Sequence, residues 1–218
     1  MDPKSIFIYF TIYLTLLPLG IGLFYFKKTD PGLKLLLVYL ALSFFVDQIA
    51  LQYFLKSVNN MLYINLFVLF EKCLFIYLLF YWNLSGKKRR LDFFLLELFI
   101  IALWTYYAFF THTATGKPGI YNQLNVFGTL TSAIIVILAA VSVIRIVEVG
   151  SELFKNPVFW SVTAIFIYAA ISLIVISTVF LMPKNAWSLF LIANIIYYLF
   201  LTKAFLVAGN SKQTRYRR

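Results

Sequence analysis

The sequence predicts an all-α protein: a polytopic membrane bundle of seven transmembrane helices, N-terminus outside and C-terminus in the cytoplasm. Three observations predict it. Of 218 residues, 62% are hydrophobic and only 12% are charged, whereas a soluble domain is about 45–50% apolar and about 25% charged. The apolar residues fall into windows of about 20, the length that spans a hydrocarbon core. The basic residues collect at alternate turns, as the positive-inside rule requires. Soluble, disordered, collagen-like and disulfide-scaffold classes are excluded together.

The seven helices are expected near residues 5–26, 34–55, 61–82, 91–111, 122–147, 157–181 and 186–207. Residues 1–208 form one transmembrane domain and 209–218 a basic tail. The first helix could be mistaken for a secretory signal. It is too long for an h-region, has no small-x-small cleavage site and runs straight into Lys27-Lys28, so it is expected to stay uncleaved. Helix two follows the turn Lys27 to Gly32, with Asp30-Pro31-Gly32 as its breaker, and helix three follows Lys56 to Asn60. Helix four follows Leu84 to Arg90, and helix five the stretch His112 to Tyr121 with Gly116, Pro118 and Gly119. Glu148 to Asn156 leads into helix six and Pro183-Lys184-Asn185 into helix seven. These short connections leave no room for an extramembrane catalytic domain. Trp82, Trp104, Trp160 and Trp187 lie mostly toward helix ends, where interfacial anchors sit.

Orientation follows from the cations. With the N-terminus outside, 14 basic residues face the cytoplasm: Lys27, Lys28, Lys34, Lys87, Lys88, Arg89, Arg90, Arg145, Lys155, Lys203, Lys212, Arg215, Arg217 and Arg218. Only Lys4, Lys56, Lys117 and Lys184 face outward, and Lys72 belongs to neither side. The net charge of +11 is therefore read as a topology signal in an inner membrane rather than as nucleic-acid binding. Cys73 is the single cysteine, so there is no disulfide framework and no cysteine zinc site.

A weak internal repeat is visible. Phe26-Lys27-Lys28-Thr29-Asp30-Pro31 precedes helix two and Phe154-Lys155-Asn156-Pro157 precedes helix six. Helices one to three and five to seven would then be parallel triplets joined by helix four, a 3+1+3 plan known from transporters. Common Asp/Asn-Pro turn chemistry explains the same residues without a repeat.

Three acids lie at bilayer depth: Asp47 in helix two, Glu71 in helix three and Glu97 in helix four. Such side chains cost at least about 2.5–3.5 kcal/mol to insert, so each is a candidate functional residue. At about 1.5 Å per residue, Glu71 lies roughly 15 Å from the outer end of its helix, and Asp47 and Asn194 roughly 12 Å from theirs. Glu97 belongs to a different, inner layer. Glu71 and Lys72 project about 100° apart, so Lys72 is expected to pair with Asp47. Glu71 is then expected to face Asn194 or a tyrosine hydroxyl, and to be neutral only if no cation faces it. Gln48 and Gln52 add polar capacity, and Asn125, Thr129 and Ser132 are placed to close the ring. Tyr39, Tyr77, Tyr168 and Tyr197 are the tyrosines expected to line a pocket there. Two readings stand side by side: a polar clasp fixing helix packing, or a ligand, ion or proton site open to the outside.

Other chemistries lack residues. His112 is the only histidine, so histidine-based zinc sites have no partner. No nucleophile elbow, phosphate loop or His-Glu-x-x-His is present. Lys203 lies close enough to the cytoplasmic end to snorkel, which leaves little for a retinal Schiff base. No cofactor is expected.

Leu66-Phe67-Val68-Leu69-Phe70-Glu71 and Phe75-Ile76-Tyr77-Leu78-Leu79-Phe80 resemble helix three of an uncharacterised family of small seven-helix membrane proteins widespread in Bacteroidetes. Asn156-Pro157-Val158-Phe159-Trp160 is similar to the opening of that family's helix six. Trp187 with Ala193-Asn194-Ile195-Ile196-Tyr197-Tyr198-Leu199 resembles its Trp…His-Asn-x-x-Asn-x-x-Tyr pattern, with Ala193 in place of the histidine. The resemblance spans nearly the whole chain and transfers no catalytic residue. Similar modules serve as membrane sensor regions of signalling proteins, which implies a sensor or partner-binding role. The expectation is therefore a non-enzymatic sensor or regulatory membrane subunit, binding a small or lipidic ligand or an ion through Asp47, Gln48, Glu71, Lys72, Asn194 and Tyr197. Lys87, Lys88, Arg89, Arg90, Arg215, Arg217 and Arg218 would face a cytoplasmic partner or lipid. A small secondary transporter is the alternative.

Overall fold

The computed structural model describes residues 3–55, 61–83, 87–107, 120–149, 152–178 and 183–210. The expected loops at 56–60, 84–86 and 108–119, with His112, lie outside the described residues. So does the tail with Arg215, Arg217 and Arg218. All regular structure among the described residues is helical.

The first span is two helices, α1 (Pro3–Leu14) and α2 (Leu16–Phe24), separated at Thr15. Pro18 explains the break: it has no N–H for the Leu14 carbonyl, and its ring crowds that carbonyl. Then follow α3 (Pro31–Leu55), α4 (Met61–Asn83), α5 (Lys87–Thr105), α6 (Ile120–Val149), α7 (Pro157–Thr178) and α8 (Pro183–Asn210). Helices α3, α7 and α8 each begin on a proline, whose fixed φ and missing N–H suit the first helical position. For this reason α3 starts three residues before the expected boundary.

Six spans among the described residues are long and apolar enough to cross a membrane: Ile6–Phe24, Pro31–Tyr53, Ile64–Trp82, Val126–Glu148, Pro157–Ser177 and Ser188–Asn210. Large apolar side chains point outward along all of them, from Phe24 (81% exposed) to Ile137 (63%). Surface this apolar belongs in lipid; the chain is a multi-pass membrane protein. The remaining helix, α5, carries Asp92 and Glu97 and passes into a wider turn at Tyr106 and Tyr107.

The helices follow one another around the bundle. The first span packs on α3, α3 on α4, and α4 on both α5 and α6; α7 packs on α6 and α8, and α8 returns to α2. The closure rests on small residues. A Cβ at Gly209 would meet the Tyr25 ring at 2.4 Å, and one at Gly22 would meet Leu37 at 2.4 Å and Phe205 at 3.2 Å. The Lys28 ammonium donates to the Gly209 carbonyl at 2.9 Å, tying the turn after α2 to the end of α8. A cation at a helix C-terminus also meets the negative end of its dipole.

The two turns singled out in the sequence share a build. Each is a 3-10 turn, Phe26–Lys28 or Leu153–Lys155, leading through an Asx side chain into a proline-initiated helix. The Leu33 N–H donates to Asp30 Oδ1 at 2.9 Å, and the Val158 N–H donates to Asn156 Oδ1 at 2.9 Å. These are N-cap bonds, supplying acceptors to helix donors that have none.

Candidate functional site

Glu71 and Lys72 sit near the middle of α4, 6% and 3% exposed. They pair with each other: Lys72 Nζ donates to Glu71 Oε1 at 3.2 Å. This overturns the expected Lys72–Asp47 pair. Adjacent helical residues diverge by about 100°, but the lysine stem has four flexible carbons and bends its charge back along the helix.

Two tyrosines complete the carboxylate's shell. Tyr39 of α3 donates to Glu71 Oε2 at 2.6 Å, and the Tyr168 hydroxyl of α7 reaches both oxygens, at 3.2 and 3.4 Å. The Tyr39 bond has the length of a charge-assisted O–H···O⁻ contact. Lys72 Nζ lies 5.4 Å from the centroid of the Tyr168 ring, a cation–π contact. Three helices therefore converge on one buried ion pair.

Phe75, one turn below Glu71, is the apolar hub. Its ring meets Tyr39 at 5.4 Å, Tyr168 at 5.9 Å and Tyr197 of α8 at 5.9 Å. Tyr197 also lies against Tyr168 at 5.1 Å. Its hydroxyl is buried and has no hydrogen-bond partner among the described residues. Lys72, with three N–H donors, makes one hydrogen bond. The site is thus closed around the carboxylate and open in donors. An orphaned buried hydroxyl is costly.

The other expected members are not brought in. Asp47 is half-buried and forms no ion pair among the described residues; it lies eight residues beyond Tyr39, about 12 Å further along α3. Asn194 is half-buried and makes no hydrogen bond to Glu71. Gln48 Nε2 is buried without a partner, and Gln52 is exposed. Ser132 Oγ is buried without a partner among the described residues, and Thr129 is half-buried on α6. The side chains of Asn125, Trp187 and Lys87 to Arg90 lie outside the described ones. Of the tyrosines, Tyr39, Tyr168 and Tyr197 join the site, whereas Tyr77 turns outward toward Phe93 of α5 at 5.7 Å.

Sequence reasoning missed two features. One is Phe75, signalled only by its i+4 spacing from Glu71. The other is a groove of about 290 Å³ between α4 and α5, lined by Phe70, Cys73, Leu74, Tyr77, Phe93 and Glu97. No group of three or more His, Cys, Asp or Glu among the described residues is placed to hold a metal ion. No family model matches the chain, and neither a curated protein nor a solved structure proves similar to it.

Proposed function

We propose that this chain is a non-enzymatic, seven-span inner-membrane sensor or regulatory subunit that binds an acceptor-bearing small ligand or anion beside Glu71 and Lys72. The observation that carries the reading is the Tyr197 hydroxyl, buried without a partner next to an ion pair that still has donors to give. A ligand carboxylate or carbonyl would satisfy both at once, and Tyr39 and Tyr168 would hold Glu71 as the fixed counter-charge. Asp47, Gln48 and Asn194, further out, would line the approach. Support for the seventh span comes from α5: Phe93 and Glu97 share a groove with Cys73 and Tyr77 of a spanning helix. The 14-to-4 distribution of basic residues supports the N-out, C-in orientation. In that orientation Lys87 to Arg90 and the tail arginines would meet a cytoplasmic partner or anionic lipid. Membership of the Bacteroidetes family suggested by the helix-three, helix-six and helix-seven motifs belongs to the same proposal.

The alternative, a secondary transporter with a 3+1+3 repeat, has one specific observation behind it: the matching turn, Asx cap and proline at Asp30-Pro31 and Asn156-Pro157.

The test is thermal stability of the full chain in detergent, titrated with acetate against equal chloride. Ligands that bind the native state raise its melting temperature. Acetate is expected to stabilise wild type and to lose that effect in Tyr197→Phe, which removes only the spare donor. An undiminished acetate response in Tyr197→Phe would end the reading. Phosphatase fusions test the orientation: activity after Asn60 and none after Arg218 is expected, and activity at Arg218 would put both termini on one side.

A further inference from the structure

We propose that the end of the bundle at the C-terminus of α8 docks anionic phospholipid, with Lys27, Lys34 and Lys203 meeting headgroup phosphates and the exposed phenylalanines beside them meeting acyl chains. The surface is separate from the Glu71 pair, and its test does not depend on that reading.

The fold gathers cations that lie far apart in the sequence. Helix α8 packs on α2 at one flank and on α7 at the other. The Lys28 bond to Gly209 marks the first flank, and Lys203 Nζ, 5.8 Å from the centroid of the Trp160 ring, marks the second. The two 3-10 turns, the first turn of α3 and the last turns of α8 thus bring Lys27, Lys28, Lys34, Lys155 and Lys203 to one end of the molecule, against Asp30 and Glu152. The sequence after α8, Ser211 to Arg218, adds only basic charge.

Hydrogen bonding separates the occupied cations from the free ones. Lys155 pairs with Glu152 at 2.8 Å, and Lys28 is bound to the Gly209 carbonyl. Asp30 accepts from the Leu33 N–H as the cap of α3. Lys27, Lys34 and Lys203 make no hydrogen bond or ion pair among the described residues. Rings hold two of them in place. Lys34 Nζ lies 4.9 Å from the centroid of Phe26, and Trp160, beside Lys203, is fixed by its indole N–H donating to the Phe154 carbonyl at 2.9 Å. An ammonium positioned over an aromatic face still has N–H donors for an anion.

The surroundings of these cations decide between a lipid and a soluble anion. Phe26 is exposed next to Lys34, and Phe154, 69% exposed, lies against Trp160. Lys34 and Trp160 each come three residues after the proline that opens their helix, or about 4.5 Å along it. That is the depth at which aromatic belts sit between headgroup and chain. Inorganic phosphate or a nucleic acid would leave the phenylalanine rings in water. A phospholipid suits both halves of the surface, its phosphate on the ammonium and its chain on the ring. A zwitterionic headgroup brings its own cation, so a net-anionic one gains most. Basic clusters at the end of a spanning helix recognise anionic lipids in this way.

The experiment is native mass spectrometry of the full chain, released from micelles holding equal amounts of phosphatidylglycerol and phosphatidylcholine with matched chains. Phosphatidylglycerol is expected to be retained at least five-fold over phosphatidylcholine. Changing Lys27, Lys34 and Lys203 together to glutamine should bring the ratio below two-fold, and changing them to arginine should keep at least half of the preference. Lys4→Gln with Lys184→Gln, at the opposite ends of α1 and α8, should leave it unchanged. Equal retention of the two lipids would overturn the proposal. So would a preference that survives the triple glutamine variant, which would place it on other cations, or displacement of the lipid by excess inorganic phosphate, which would make this a free-anion site. If the triple variant fails to fold, Lys27→Gln and Lys203→Gln decide singly: each should lower the ratio, and no change in either would overturn the proposal as firmly.

Discussion

The two ends of the chain build the same kind of helix and use it differently. The α7 span buries 44% of its length inside the bundle, and the first span buries 22%. Along α7 and α8 small residues recur among the buried positions: Ser161, Ala164, Ala169 and Ser172 on one, and Ala193, Ala204 and Ala208 on the other, between larger ones such as Ile165, Leu201 and Phe205. Small residues let backbones approach, which is how helices associate where lipid removes the hydrophobic drive between them. The α3–α4 side instead holds its contacts with Tyr39, Glu71, Lys72 and Phe75. The α7–α8 contact draws on small residues, and the α3–α4 side on charge and rings, to which Tyr168 and Tyr197 reach across.

The largest test of that contrast is Lys72→Met. It strands a buried carboxylate and should cost about 3–5 kcal/mol of stability, measured by reversible unfolding in mixed micelles. Replacing Glu71 with leucine as well should recover most of the loss, and Asp47→Asn should not change either result. Equal damage in single and double variants would show that the pair does not hold this side together. For the same reason Glu71→Gln alone should destabilise, since it leaves the ammonium unpaired.

Next comes Tyr39→Phe, which removes one hydrogen bond to a charged acceptor and should cost about 1.5–3 kcal/mol. A loss below 0.5 kcal/mol (on the order of an ordinary surface change) would mean that Tyr168 and Lys72 suffice. On the shape-packed side, Gly209→Ala drives a methyl into the Tyr25 ring and should cost about 1–3 kcal/mol. A neutral Gly209→Ala would show that the α2–α8 closure is loose. The smallest effect is expected on α5: Leu98, 53% exposed, should tolerate alanine within about 0.5 kcal/mol.

Much of the helical frame was legible because apolar windows and turn residues are local signals. Pro18 was visible too, yet the break at Thr15 was not foreseen, since a proline's effect falls four residues upstream. The acids were found by their cost in lipid, and Tyr39, Tyr168 and Tyr197 were named as pocket residues. Their pairing was not legible. Depth counting put Asp47 near Lys72, but the azimuth of α3 and the bend of the lysine stem set which charge meets which. The groove at Cys73 and Glu97 escaped for the same reason: each residue was read within its own helix, and its meaning lies in the contact between two.

The Lys28–Gly209 tie joins residues 181 positions apart, and this has a consequence in time. At about 5–20 residues per second, the ribosome needs roughly 10–35 s after Lys28 emerges to make its partner. Throughout that interval Gly22 and Tyr25 have no α8 to lie against, and the first span must wait in the bilayer with its docking face turned to lipid. The helix that closes the ring, α8, is therefore made long after its partner, and a chain that stalls before α8 leaves the membrane holding an open arc rather than a bundle.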